Sequence, residues 1–122
     1  VQRLAIKVPS VETLVGTLSG GNQQKVLLAR WMASGARTLL LVDPTRGIDV
    51  GAKSEIYHLI FKLAAEGVGI IVVSSDLPEV LGIADRVLVM RQGRLSTSFM
   101  RAEAEPEKVL AAALPLETAA PF

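Results

Sequence analysis

Three stretches of the chain are apolar almost without interruption: VLLARWMA (26–33), TLLLV (38–42) and GVGIIVV (67–73). The first follows Ser19-Gly20-Gly21 and is apolar nearly all round, which predicts a buried helix from Asn22 to Ser34, stopped at Gly35. The second and third are short, rich in Leu, Ile and Val, and bounded by turn residues. They predict buried parallel strands. Between them Ile56, Leu59, Ile60, Leu63 and Ala64 recur at helical spacing. Asp49 is placed to cap that helix and Gly67 stands just past its end. Pro78 suits the first turn of a short helix reaching Ile83. Arg86–Met90 and Arg94–Phe99 flank Arg91-Gln92-Gly93, where the glycine supplies the positive φ of a tight hairpin turn. Glu105–Leu114 predicts a last helix stopped by Pro115, followed by a loose tail, and Leu4–Val8 a short strand stopped by Pro9. This alternation is that of an α/β sheet. Ligands on such sheets sit at the carboxyl ends of the parallel strands, here Val42-Asp43 and Ser74-Ser75-Asp76.

Composition narrows the classes of function. The 122 residues are 50% hydrophobic and 20% charged, with a mean hydropathy of +0.42, which argues against disorder. Aromatics are 4%, so the core must be aliphatic. Thirteen basic and 12 acidic residues give a net charge of +1, no electrostatic case for nucleic acid. With no cysteine there is neither a disulfide framework nor a thiolate metal site. The longest uninterrupted apolar run is Val109–Leu114, far short of the roughly 20 residues of a membrane-spanning helix. No secretory signal is expected from VQRLAIKVPS at the start.

The most informative segment is LSGGNQQKV (18–26). A serine and two glycines at a helix start present backbone N–H groups and the positive end of the helix dipole, which suits a phosphate. Ser-Gly-Gly alone reads equally well as a helix-capping turn. The whole nine-residue run is more specific: it resembles the signature motif of ATP-binding cassette ATPases, and its NQQKV extension resembles the second cassette of ribose-, xylose- and galactose-type importers. DPTRGIDVGAKSEIY (43–57) and SSDLPEVLGIADRVLVMRQGRL (74–95) are similar to the same template. The resemblance runs from about residue 4 to about residue 100.

The resemblance implies a P-loop NTPase-type α/β cassette, present in its carboxyl-terminal part and ending in a β-hairpin and helix. It divides the chain into residues 1–35, the end of a helical subdomain with the signature; 36–100, the carboxyl-terminal part of the ATPase core; and 101–122, a terminal helix and tail. It implies ATP and Mg²⁺ as cofactors, sandwiched between two cassettes arranged head to tail. Ser19, Gly20 and Gly21 would touch the γ-phosphate of a nucleotide held by the partner cassette, with Gln23 nearby. Thr45–Asp49 resembles the loop that crosses the dimer interface, with Asp49 as its acid; a plain helix cap is the simpler role, and both can hold together. The implied partners are a second cassette, transmembrane permease subunits and, indirectly, a periplasmic sugar-binding protein. The implied location is cytoplasmic, peripheral on the inner face of the plasma membrane.

Three departures from the family pattern bear on catalysis. The strand that normally ends in Asp-Glu-Pro ends here in Val42-Asp43-Pro44. Val42 stands where the magnesium-shell acid belongs and has no donor or acceptor, so no metal ligand is expected here. Asp43 stands where the catalytic Glu belongs and is one methylene shorter; a strand-end acid supporting the loop is an equal alternative. Ser75 stands where a His usually contacts the γ-phosphate, and it has no titrating imidazole. The single histidine, His58, lies inside the Asp49–Gly67 helix and is expected on its surface. The phosphate loop, GxxxxGK[ST], is absent from these residues, as are the Gln loop and the adenine-stacking aromatic, so the sequence is expected to be one part of a longer cassette. The favoured function is an intact signature serving the partner's ATP site beside a degenerate site of its own. The alternatives are a truncated, inactive interaction module and a soluble cassette ATPase outside transport. A half-built sheet would also expose apolar faces and edges, predicting poor solubility or association of the isolated chain.

Overall fold

The computed structural model of the chain describes residues 20–115. These residues divide into two compact units, one through Ser75 and one from Asp76.

In the first unit the runs TLLLV and GIIVV form β1 (Thr38–Val42) and β2 (Gly69–Val73), paired in parallel from Thr38↔Gly69 to Val42↔Val73. Parallel neighbours need a crossover, and α2 (Val50–Ala65) supplies it. Ile56, Leu59, Ile60 and Leu63 of α2 pack with Leu39 and Leu41 of β1 and Leu28 of α1 (Gly20–Ala33) into one buried cluster. Ala64, expected on the same face, is exposed. Past the end of α2, Gly67 sits at φ +96°, a backbone state that costs glycine little.

The strands differ from expectation in one respect: among the described residues one face of the sheet is covered. Leu39 and Leu41 are buried, whereas Leu40, Val42, Ile71 and Val73 are 64, 63, 54 and 50% exposed. Alternation along a strand sends neighbouring side chains to opposite faces, and the side chains of α1 and α2 cluster with Leu39 and Leu41. Helix α1 also differs. It begins at Gly20, two residues before the expected Asn22, so both glycines lie in its first turn. It buries one stripe, Gly21, Lys25 and Leu28, while Leu27 and Trp31 on the other side are exposed.

In the second unit α3 (Leu77–Ile83) is followed by the antiparallel pair β3 (Arg86–Arg91) and β4 (Arg94–Met100). A 3₁₀ turn at Arg101–Glu103 leads to α4 (Pro106–Ala113). Val87, Val89 and Val109 are its buried centre, with Val80, Leu81 and Phe99 packed against them. The hairpin turns through two residues, Gln92 at φ +49° and Gly93 at φ +76°. Positive φ at both central positions is the type I′ turn, which matches the twist of the strands it joins. The predicted strand at Leu4–Val8 and the tail after Pro115 lie outside the described residues.

Candidate functional site

Gly20 and Gly21 open α1 directly against the loop that follows β1. A Cβ placed on Gly21 would lie 2.8 Å from the Ala52 Cβ, and one on Gly20 would lie 3.6 Å from Ile48 Cγ1 and 3.9 Å from the Gly47 carbonyl oxygen. Position 21 therefore admits glycine alone unless a neighbour moves. The signature stretch and the Thr45–Asp49 loop, distant in sequence, thus form one surface. Ser19 lies outside the described residues. Gln23 is exposed, one turn along from Gly20.

The loop itself is held by short local bonds. The Arg46 N–H donates to the Asp43 carbonyl at 3.1 Å and the Ile48 N–H to the Thr45 carbonyl at 3.2 Å. Gly47 takes φ +73° between them. Pro44 and Thr45 are buried, and the Thr45 hydroxyl lies 3.5 Å from the Tyr57 hydroxyl on α2. Asp49 caps α2, its Oδ1 accepting from the Ala52 N–H at 3.0 Å. The cap role expected for Asp49 is thus present.

The next contact along the two helices is an ion pair. Lys25 Nζ lies 2.9 Å from Glu55 Oε2, with the lysine side chain 4% exposed and the glutamate 49%. Gly21 meets Ala52 and, one turn on, Lys25 meets Glu55. The two helices therefore advance in the same direction, and their N-termini lie at the same end. Each N-terminus carries partial positive charge, and α1 has no acidic residue in its first turn.

At the carboxyl ends of the strands, the Asp43 N–H donates to the Val73 carbonyl at 2.7 Å, extending the β1–β2 ladder by one step. Asp43 takes φ +45°, a left-handed state that Asp tolerates better than most side chains. Ser75 is exposed beyond β2, and the in-phase register sets both strand ends at one edge of the sheet. The exposed Val42 brings no oxygen there. Among the described residues no group of three or more His, Asp or Glu side chains could hold a metal ion. His58 is exposed on α2, its Nδ1 2.9 Å from the Ser54 carbonyl oxygen, as expected. In the second unit Asp76 caps α3, accepting from the Glu79 N–H at 3.1 Å. Sequence reasoning missed Lys25, Ala52 and Glu55. The available signal was the spacing Gly21, Lys25, Leu28, which places a charged residue on the buried stripe.

No protein-family model matches the chain. Among curated proteins it is 53% identical over 121 residues to the ribose import ATP-binding protein of Rhodopirellula baltica, covering 99% of this chain and 24% of that protein. It is 54% identical over 114 residues to the arabinose import ATP-binding protein of Pectobacterium atrosepticum, covering 93% and 22%. The chain thus spans about a fifth to a quarter of the length of the curated relatives it matches. In fold it is similar to a metal-chelate type ABC transporter in an inward-facing conformation, with a TM-score of 0.72 at 22% identity over 80% of this chain and 39% of that one. A dimeric ATP-binding cassette in a post-hydrolysis state with ADP and Pi gives 0.69 at 23% identity over 82% and 43%. On these likenesses the chain belongs to the ATP-binding cassette family, and its sequence relatives there are sugar-import ATP-binding proteins.

Proposed function

We propose that this chain is part of the ATPase subunit of a monosaccharide importer and supplies its signature to the ATP site of a partner cassette. The observation that carries this reading is the close approach of Gly20 to Ile48 and the Gly47 carbonyl, with Gly21 against Ala52 just beyond, which sets the two glycines beside the Thr45–Asp49 loop. An anion suits that surface. A helix start with two glycines and no acid in its first turn offers backbone N–H donors and a positive dipole end. Ser19, Gly20 and Gly21 would meet the terminal phosphate, with Gln23 beside them and Asp49 across the interface.

These residues fit ATP from the signature side and do not fit Mg²⁺. Val42 holds no ligand atom where the metal-shell acid belongs. Asp43 reaches less far than Glu and has its backbone turned to left-handed φ. The chain's own composite site is therefore degenerate, and Ser75 leaves it without an imidazole. The Mg²⁺ of the complete assembly would be held by residues of the partner's site. Asp43 supports the loop in this reading, and base catalysis does not pass through it.

The partners would be a second cassette, transmembrane permease subunits and, through them, a periplasmic sugar-binding protein. The subunit would sit on the cytoplasmic face of the plasma membrane. No helix among the described residues is long and apolar enough to cross a membrane. The parsing into residues 1–35, 36–100 and 101–122 belongs to this same reading.

The test is ATP hydrolysis by the assembled cassette protein that carries this chain. Ser19→Arg should nearly abolish hydrolysis, by placing a long cation where a phosphate belongs. Asp43→Asn should change it little. Equal damage from both would overturn the division of labour.

A further inference from the structure

The buried stripe of α1 holds a small residue, a charged residue and a large one: Gly21, Lys25 and Leu28. A lysine there is unexpected, because burying an ammonium group is costly unless it is paired. Its recorded partner is Glu55, 30 residues away on α2 at 2.9 Å. Glu55 is half in solvent, so the pair is asymmetric: the cation is enclosed and the anion is reached by water.

Gly21 and Leu28 fill space, but small and aliphatic surfaces slide past one another at modest cost. A buried charge does not, because a shift of one helical turn would carry the ammonium away from Glu55. Buried ionic groups have their best-attested role in fixing register. We propose that Lys25 is a positioning residue: through Glu55 it sets the register of α1 on α2 and so holds Gly20 and Gly21 against Ile48 and Ala52. This inference rests on the signature role proposed above. Lys25 touches no nucleotide in it. Its effect passes through the helix whose first turn, one turn earlier, meets the phosphate.

The substitution Lys25→Met removes the charge, keeps much of the apolar stem and leaves Glu55 to water. The substitution also removes the cost of burying an ammonium, and the half-exposed Glu55 is left solvated, so the melting temperature should change little. In the assembled cassette protein, kcat for ATP hydrolysis should fall on the order of tenfold or more, since small displacements of reacting groups are costly. The KM for ATP should hold, because the partner's phosphate loop sets it. Lys25→Arg should recover most of the turnover. Glu55→Ala takes the carboxylate from a buried ammonium and should lower stability as well as turnover, and adding Lys25→Met to it should restore the stability and leave turnover no worse than in Lys25→Met alone.

Ser19→Arg, measured in the same assembly, separates the two claims. If Ser19→Arg is inactive and Lys25→Met turns over normally, the positioning role is overturned and the signature role stands. If Ser19→Arg is fully active, both are overturned. Additive losses of turnover from Lys25→Met and Glu55→Ala, or a loss of turnover in Lys25→Met that simply follows loss of folded protein, also overturn the positioning role.

Discussion

Gly21 and Ala52 meet so closely that the ideal Cβ position of the glycine lies 2.8 Å from the Cβ of the alanine. Helix α1 can approach α2 this closely because position 21 lacks a side chain. The same approach places Gly20 over Ile48. A second turn of contact follows at Lys25 and Glu55, so a steric fit and an ionic fit specify the same register.

That contact makes Gly21→Ala an overpacking change. It should destabilise the first unit by about 1–3 kcal/mol, although alanine favours helices in general. Ala52→Gly should relieve the clash. The double variant should therefore be more stable than the sum of the two single effects. Urea denaturation of the four members of the cycle measures the coupling.

Asp49 combines a cap with a place on the proposed interface, and substitutions can separate the two. Removing the cap with Asp49→Ala should cost about 1 kcal/mol. Asp49→Ser retains an oxygen for the Ala52 N–H and should keep most of the stability. If Asp49 also acts across the interface, Asp49→Ser should still lower ATP hydrolysis by the assembled protein. Melting curves and turnover for both variants distinguish a cap alone from a cap with an interface role.

The α/β order, the parallel pair and the hairpin were legible because each rests on local pattern: aliphatic runs, helical spacing, caps and glycines. Asp49, Gly67 and Pro78 mark element ends through backbone chemistry that is the same in any fold. The Gly21, Lys25, Leu28 spacing could point to a buried lysine, but its pairing with Glu55 was not legible, since the two are 30 residues apart. The exposure of Leu40 and Val42 was not legible for strand TLLLV alone, because a continuous apolar run looks the same whether one face or two are covered. Asp43 and Ser75 could be placed at one sheet edge from sequence. The left-handed backbone of Asp43 could not.

The conformation of Asp43 leads to a prediction about its replacement. At φ +45°, Asp and Asn are tolerated, while a β-branched side chain is not. Asp43→Asn should leave stability unchanged. Asp43→Val should cost about 1–2 kcal/mol, as expected for a residue forced into the left-handed region. Thermal melts of the two variants report the difference, and equal melting temperatures would mean that the turn adapts.

The hairpin carries a comparable strain at Gln92, which takes φ +49° beside Gly93 at φ +76°. A type I′ turn favours Asn-Gly at these positions. Gln92→Asn should therefore stabilise the second unit, since Asn adopts the left-handed state more readily than Gln. Gly93→Ala should destabilise it. Thermal unfolding followed by circular dichroism gives the sign of each.

The apolar face of the β1–β2 sheet that no described residue covers bears on the behaviour of the 122-residue chain in isolation. Leu40 and Ile71 are partners in the ladder, and both are more than half exposed, as is Val42, while Val73 is 50% exposed. A contiguous apolar face favours association, and strand edges that pair with no other strand among the described residues add backbone donors and acceptors. The isolated chain should therefore run larger than a monomer in sedimentation at micromolar concentration. Leu40→Glu with Ile71→Lys places opposite charges directly across the two strands on that face, leaving Leu39, Leu41 and the buried cluster intact. This pair should shift the population toward monomer while the far-ultraviolet circular dichroism stays the same. If association were equally strong in the variant, the sheet face would not be its cause, and the exposed Leu27 and Trp31 of α1 would be the next surface to substitute.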